Sequence, residues 1–118
     1  MAKTEREFFD PEELPWEPVA PGSGAAGAGI EQKVLSHDPA TGNVTRLLRF
    51  APGVETHEVI THDFCEEVII LEGELHDKRL NKTFTKGMYA CRLPGMPHGP
   101  YATPKGCLTF EVRYYPNQ

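Results

Sequence analysis

The sequence predicts an all-β domain, and three observations carry that reading. Runs of β-branched and aromatic residues are short and are separated by turn signals roughly every 8–12 residues, the spacing of a sandwich or barrel. Eleven glycines and eleven prolines in 118 residues supply the turns. Nowhere do apolar residues keep helical spacing for three turns. A chain of this length suits one domain and buries roughly two-thirds of the surface its unfolded form exposes. With 39% hydrophobic and 25% charged residues, it falls among globular and not disordered chains.

Residues 1–29 read as an extended N-terminal arm and linker. Pro11, Pro15, Pro18 and Pro21 block a helix, and the small residues of 22–29 read as a flexible link. Phe8, Phe9, Leu14, Trp16 and Val19 are too apolar for a solvated tail. The arm is therefore expected on a surface, its own barrel's or a partner subunit's. Residues 30–118 read as the barrel. Strands 30–36 and 44–50 flank Asp38-Pro39-Ala40-Thr41-Gly42-Asn43 and form a hairpin. A strand runs through Val59 and Ile60, and another spans 67–71 and stops at Glu72-Gly73. Short strands at 74–76 and 83–85 flank a turn, and further strands cover 88–93 and 108–115.

A formal net charge of −5 with no basic stripe excludes nucleic acid as the main partner. The N-terminus lacks a signal-peptide core, and no apolar run approaches the ~20 residues that span a bilayer. The expectation is a cytoplasmic protein with no membrane contact. Cys65, Cys91 and Cys107 form neither a CxxC pair nor an even set, and read as reduced, buried thiols.

Two segments carry chemistry. In the first, His62 is followed by Glu66 and then Gly73; in the second, Gly87 leads through Pro94-Gly95 to His98. Neighbouring strands of a barrel bring such segments together. Two imidazoles and a carboxylate at one point suit zinc, iron, manganese, nickel or copper. His62, Glu66 and His98 are therefore the expected ligands of a divalent metal ion. His37 and His76 lie in charged turns and read as solvated, as do Glu67 and Glu72.

On these motifs the chain resembles the cupin superfamily over about residues 44–115. The spacing His62, Glu66, Gly73 matches the family's first motif, and Gly87, Pro94, Gly95, His98 match its second. The runs Glu-Glu-Val-Ile-Ile-Leu-Glu-Gly-Glu-Leu and Pro-Gly-Met-Pro-His-Gly-Pro are similar to those of the small ChrR-like and acetylacetone-dioxygenase-like cupins. The resemblance implies a single small jelly-roll β-barrel with a metal site. One departure stands out: the first histidine of the usual His-x-His falls at Ile60. By strand parity Ile60 and Glu58 share the inward face with His62. Glu58, or His57 if a bulge shifts the register, would replace the missing ligand or act as the catalytic base. Ile60, Tyr89, Cys91 and Tyr101 are the expected pocket residues.

The favoured function is metal-dependent, dioxygenase-like carbon–carbon cleavage of a small dicarbonyl-type compound. The alternative is a non-catalytic sensor or regulatory module that binds metal or ligand; Ile60 also admits a barrel that has lost its metal. An apolar arm and exposed sheet edges predict a homodimer through the arm and a sheet edge, with the arms exchanged or packed across the interface.

Overall fold

The structure, a computed structural model, describes residues 2–20 and 26–116. Residues 21–25, which take in Pro21 and the first part of the expected flexible link, lie outside them. Nine strands are present among the described residues: β1 (Glu17–Pro18), β2 (Ile30–His37), β3 (Val44–Phe50), β4 (Val54–Glu55), β5 (Cys65–Asp77), β6 (Lys82–Thr85), β7 (Tyr89–Arg92), β8 (Tyr101–Thr103) and β9 (Cys107–Tyr114). They hydrogen-bond in the order β1-β2-β3-β9-β5-β8-β4, with β6 and β7 also on β5, and the sheet curls into a half-barrel.

One strand organises the curl. The sequence predicts two strands broken at Glu72-Gly73, yet β5 runs unbroken through both residues. Its first half pairs with β7 and β9; its second half pairs with β6 and β8. A bulge between Ile70 and Glu72 makes the bend, as bulges do at barrel corners. Gly73 sits there at φ 79°, and a Cβ on it would overlap the Gly106 carbonyl oxygen. Glycine is required at this position for close backbone approach, and it does not end the strand.

Cross-strand register grades the barrel's interior. In one row Arg92, Glu66 and Arg113 face each other across β7, β5 and β9. The next holds Val68, Glu111 and Arg46 on β5, β9 and β3. Then come Ile70, Thr109 and Leu48, and last Cys107, Phe50 and Ile30. Charge therefore gathers at one end of the interior. The apolar core, with Leu48, Phe50, Ile70, Leu75 and Tyr101, fills the other.

The arm lies on its own barrel. Strand β1 pairs with β2, Lys3 donates to Thr45, and Lys33 donates to the Pro11 carbonyl. The indole of Trp16 packs between Lys33 and Arg49, whose guanidinium carbon is 4.1 Å from the ring centroid. Val19 joins the buried core. The arm is not purely extended: Asp10 caps a short 3₁₀ turn at Pro11–Glu13. Covering β2 with β1 uses the edge within the chain, so exchange of arms between subunits is not needed to protect it.

Candidate metal centre

The sequence expects a strand through Val59 and Ile60, but residues 56–64 form no strand. Their one regular contact is an isolated antiparallel bridge from Ile60 to His98. Two backbone hydrogen bonds of 2.8 and 2.9 Å make that bridge, so Ile60 positions the backbone of His98. Alternation along a strand therefore does not operate here. His57 and Glu58 are exposed, and neither lines the interior cavity, which removes the basis for their expected base and ligand roles.

His62 enters from this loop. Its Nδ1 lies 2.9 Å from the Phe64 carbonyl, and a carbonyl only accepts, so Nδ1 carries the proton. The ring also stacks on Phe64 with 3.8 Å between centroids. Both contacts fix the imidazole so that in its neutral form Nε2 presents a lone pair, the arrangement seen around histidines that ligate metals. Glu66 opens β5 and is buried. His98 is also buried, in a loop clamped by Arg79, which donates to the Pro97 and Gly99 carbonyls on either side.

One ligand atom from each of His62, Glu66 and His98 lies within 4.8 Å of the others. His62 Nε2 is 3.8 Å from Glu66 Oε1, and the two imidazole centroids are 5.0 Å apart. His62 Nε2 and His98 Nδ1 are buried with no hydrogen-bond partner among the described residues. A buried polar atom left unpaired costs about 1–3 kcal/mol, so an unpartnered nitrogen on each of the two imidazoles beside Glu66 favours a bound partner there.

Electrostatics around the three residues are explicit. Burial pushes the Glu66 carboxyl up, but His62 and the charges of Arg113 and Arg92 outweigh it and hold the group well below the usual carboxylate range. Arg113 Nε donates to Oε2 at 2.8 Å and Arg92 Nη1 to Oε1 at 3.2 Å. A carboxylate has about four acceptor sites, so two guanidinium bonds leave capacity for a cation. Burial, then the charge of Arg92, lowers the His98 pKa to about 4, which keeps the ring neutral and able to ligate at neutral pH. The donor set fits a divalent ion with open coordination positions.

The centre borders a cavity of about 200 Å³. Glu66 and His98 line it, while His62 borders a separate depression with Phe64, Arg113 and Tyr115. Leu48, Phe50, Val68, Ile70 and Leu75 form buried apolar walls. Of the expected pocket residues, Tyr101 lines the cavity from a buried position and Tyr89 from an exposed one; Ile60 and Cys91 do not line it. Cys91 is exposed, unlike the buried Cys65 and Cys107, because its side chain points to the outer face of β7. Sequence reasoning left Arg92 without a site role and passed over Arg46, Glu111 and Arg113. The available signal was the polar set Thr109, Glu111, Arg113 at every second residue of β9, one whole face of a strand.

A curled β-sheet holding two imidazoles and a carboxylate at its charged end is the architecture of a cupin. The chain belongs to the ChrR cupin-like domain family, whose model matches residues 4–115. Among solved structures it is similar to an RmlC-like cupin from Shewanella frigidimarina, with 21% identity and a TM-score of 0.73 over 100% of this chain and 97% of that one. An acetylacetone dioxygenase from Acinetobacter johnsonii matches at 16% identity and TM-score 0.72, covering 94% and 75% of the two chains. The Rhodobacter sphaeroides anti-sigma protein ChrR, solved in complex with SigE, matches at 20% identity and TM-score 0.63, covering 86% of this chain and 50% of that one. At these identities the likeness concerns the fold. No curated protein matches the chain. Among the described residues no helix is long and apolar enough to cross a membrane.

Proposed function

We propose that this cupin is a metal-dependent enzyme that holds one divalent ion on His62, Glu66 and His98 and acts on a small organic molecule in the adjoining cavity. The observation that carries the reading is the approach of one ligand atom each from His62, Glu66 and His98 to within 4.8 Å of one another, with Glu66 ionised. A divalent ion held there supplies a Lewis acid at the cavity wall. Two histidines and a carboxylate with open positions also suit iron(II) oxygenases, while zinc, manganese and nickel accept the same donors. Oxygen-dependent carbon–carbon cleavage of a small dicarbonyl compound is the favoured reaction, supported by the likeness to an acetylacetone dioxygenase. The chain's own contribution is to orient the ligands through Phe64, Ile60 and Arg79 and to offer a dry apolar wall.

The test begins with protein purified without chelator. Close to one equivalent of divalent metal per chain is expected, followed by oxygen uptake with small β-dicarbonyl compounds. Metal without oxygen uptake removes the oxygenase assignment and favours the second reading, a non-catalytic sensor, which the likeness to ChrR supports. Recovery of no protein partner by the metal-loaded chain counts against that second reading.

We also infer a homodimer, now through the outer sheet face and not through exchanged arms. Leu47, Phe110, Ile69 and Tyr89 form one cross-strand row over β3, β9, β5 and β7, and all four are only half-buried or exposed. Such a row favours a protein interface. Light scattering is expected to give twice the chain mass for wild type and the monomer mass for Ile69→Glu; a monomeric wild type refutes the dimer.

A further inference from the structure

The cavity's charge and shape specify more than a small organic molecule. Four arginines line it (Arg46, Arg79, Arg92, Arg113) against three carboxylates (Glu66, Asp77, Glu111), an excess of one positive charge in a chain whose net charge is −5. A low-dielectric cavity with one uncompensated cation favours a monoanion. Arg92 and Arg113 both donate to the one carboxylate of Glu66, which places excess positive charge beside it. Arg92 donates to Glu66 and to Tyr101 Oη at 2.7 Å, two of the five N–H donors a guanidinium carries. Tyr101 Oη accepts from Arg92, so its own proton is there to be donated. His98 packs beside Tyr101, with 6.4 Å between ring centroids.

The rest of the cavity is apolar. Its walls of Leu48, Phe50, Ile70 and Phe84 carry no charge. Its exposed margin holds Leu80, Met88 and Met96, three of the eight large hydrophobic residues exposed among the described residues. Exposed apolar side chains gathered at a cavity margin mark a ligand entrance. At roughly 30 Å³ per water-sized group, the cavity of about 200 Å³ has room for about seven such groups.

We propose that the cavity takes a short-chain monocarboxylate, its carboxylate seated on Arg92 and Tyr101 beside His98 and its apolar body against Leu48, Phe50, Ile70 and Phe84. The inference rests on the reading that the site holds a small organic molecule, and it does not require the metal. It narrows the substrate class of that reading to a carbonyl compound that carries one carboxylate and an apolar body, in preference to a neutral compound of the same shape.

Chelator-treated protein is titrated with pentanoate and with pentanamide, its neutral isostere, at pH 7.5 by calorimetry. Pentanoate is expected to bind about tenfold tighter or more, the usual margin of a charge-assisted over a neutral hydrogen bond. Arg92→Met is expected to bring the ratio of the two affinities to within about threefold of one, whatever the change in pentanamide binding itself. Equal affinity for the two compounds in wild type, or binding of neither, overturns the proposal, and this comparison stands even if the variant does not fold. A chain that prefers the acid but takes up no metal refutes the metal reading alone; one that takes up metal without preferring the acid refutes this inference alone.

Discussion

Glu66→Ala is expected to destabilise the fold by about 3–5 kcal/mol, the usual cost of removing one partner from a buried ion pair. Glu66 is 3% exposed and lies between Arg92 and Arg113 on the flanking strands. Its loss leaves two guanidiniums facing each other across β5 with no anion between them. Uncompensated burial of positive charge accounts for most of the loss, since alanine removes little apolar surface. For a domain of this size the melting temperature is expected to drop by roughly 10–20 °C. Glu66→Gln keeps the shape and one acceptor and is expected to lose less. The same carboxyl sets a pH dependence. Its folded pKa lies below the unfolded value of 4.5, so its stabilisation is complete above that pH and declines as pH falls through it. The acid limb of the stability curve is therefore expected to flatten in Glu66→Gln. A loss under 1 kcal/mol for Glu66→Ala would show that the three-strand charge row does not hold the barrel end together.

The second large effect concerns affinity and not folding. His62→Ala and His98→Ala are each expected to weaken divalent metal binding by about 100-fold or more, because even groups that only orient a ligand contribute 10–100-fold. Neither substitution strands a charge, since His62 Nε2 and His98 Nδ1 make no bond to the described protein and the His98 ring is neutral at neutral pH. Their melting temperatures are accordingly expected to stay close to that of the metal-free wild type. Competition against a chelating dye gives the affinities, and wild-type affinity in both variants would remove these residues from the centre.

The sequence placed the His62, Glu66 and His98 cluster better than it showed which way strands face. The two motif segments are far apart in the chain, yet their spacing and their likeness to the cupin motifs picked out three residues whose ligand atoms approach within 4.8 Å. Strand β3 falls on residues 44–50 as read from the turn residues before it and Pro52 after it. Parity failed between Thr56 and Phe64 because that segment is held by one bridge and not by a ladder. Continuity of β5 was hidden because Gly73 signals a stop in sequence, while in space it admits the Gly106 backbone.

The inward charges were the least legible. In β9 the buried residues are Cys107, Thr109, Glu111 and Arg113, and the apolar Leu108, Phe110 and Val112 face outwards. A half-buried strand is normally read with its apolar side in, so the pattern pointed the wrong way. What makes the inverted arrangement stable is pairing: Arg46 Nε meets Glu111 Oε1 at 2.8 Å, and Arg113 Nε meets Glu66 Oε2 at 2.8 Å. Partners that lie 65 and 47 residues apart cannot be matched without the strand order.

Anomalous diffraction from crystals of the metal-loaded chain tests the centre most directly. One peak is predicted at roughly 2.0–2.2 Å from His62 Nε2, a ring nitrogen of His98 and a carboxylate oxygen of Glu66. A peak bound elsewhere, or none at full metal concentration with all three side chains in place, would contradict the assignment.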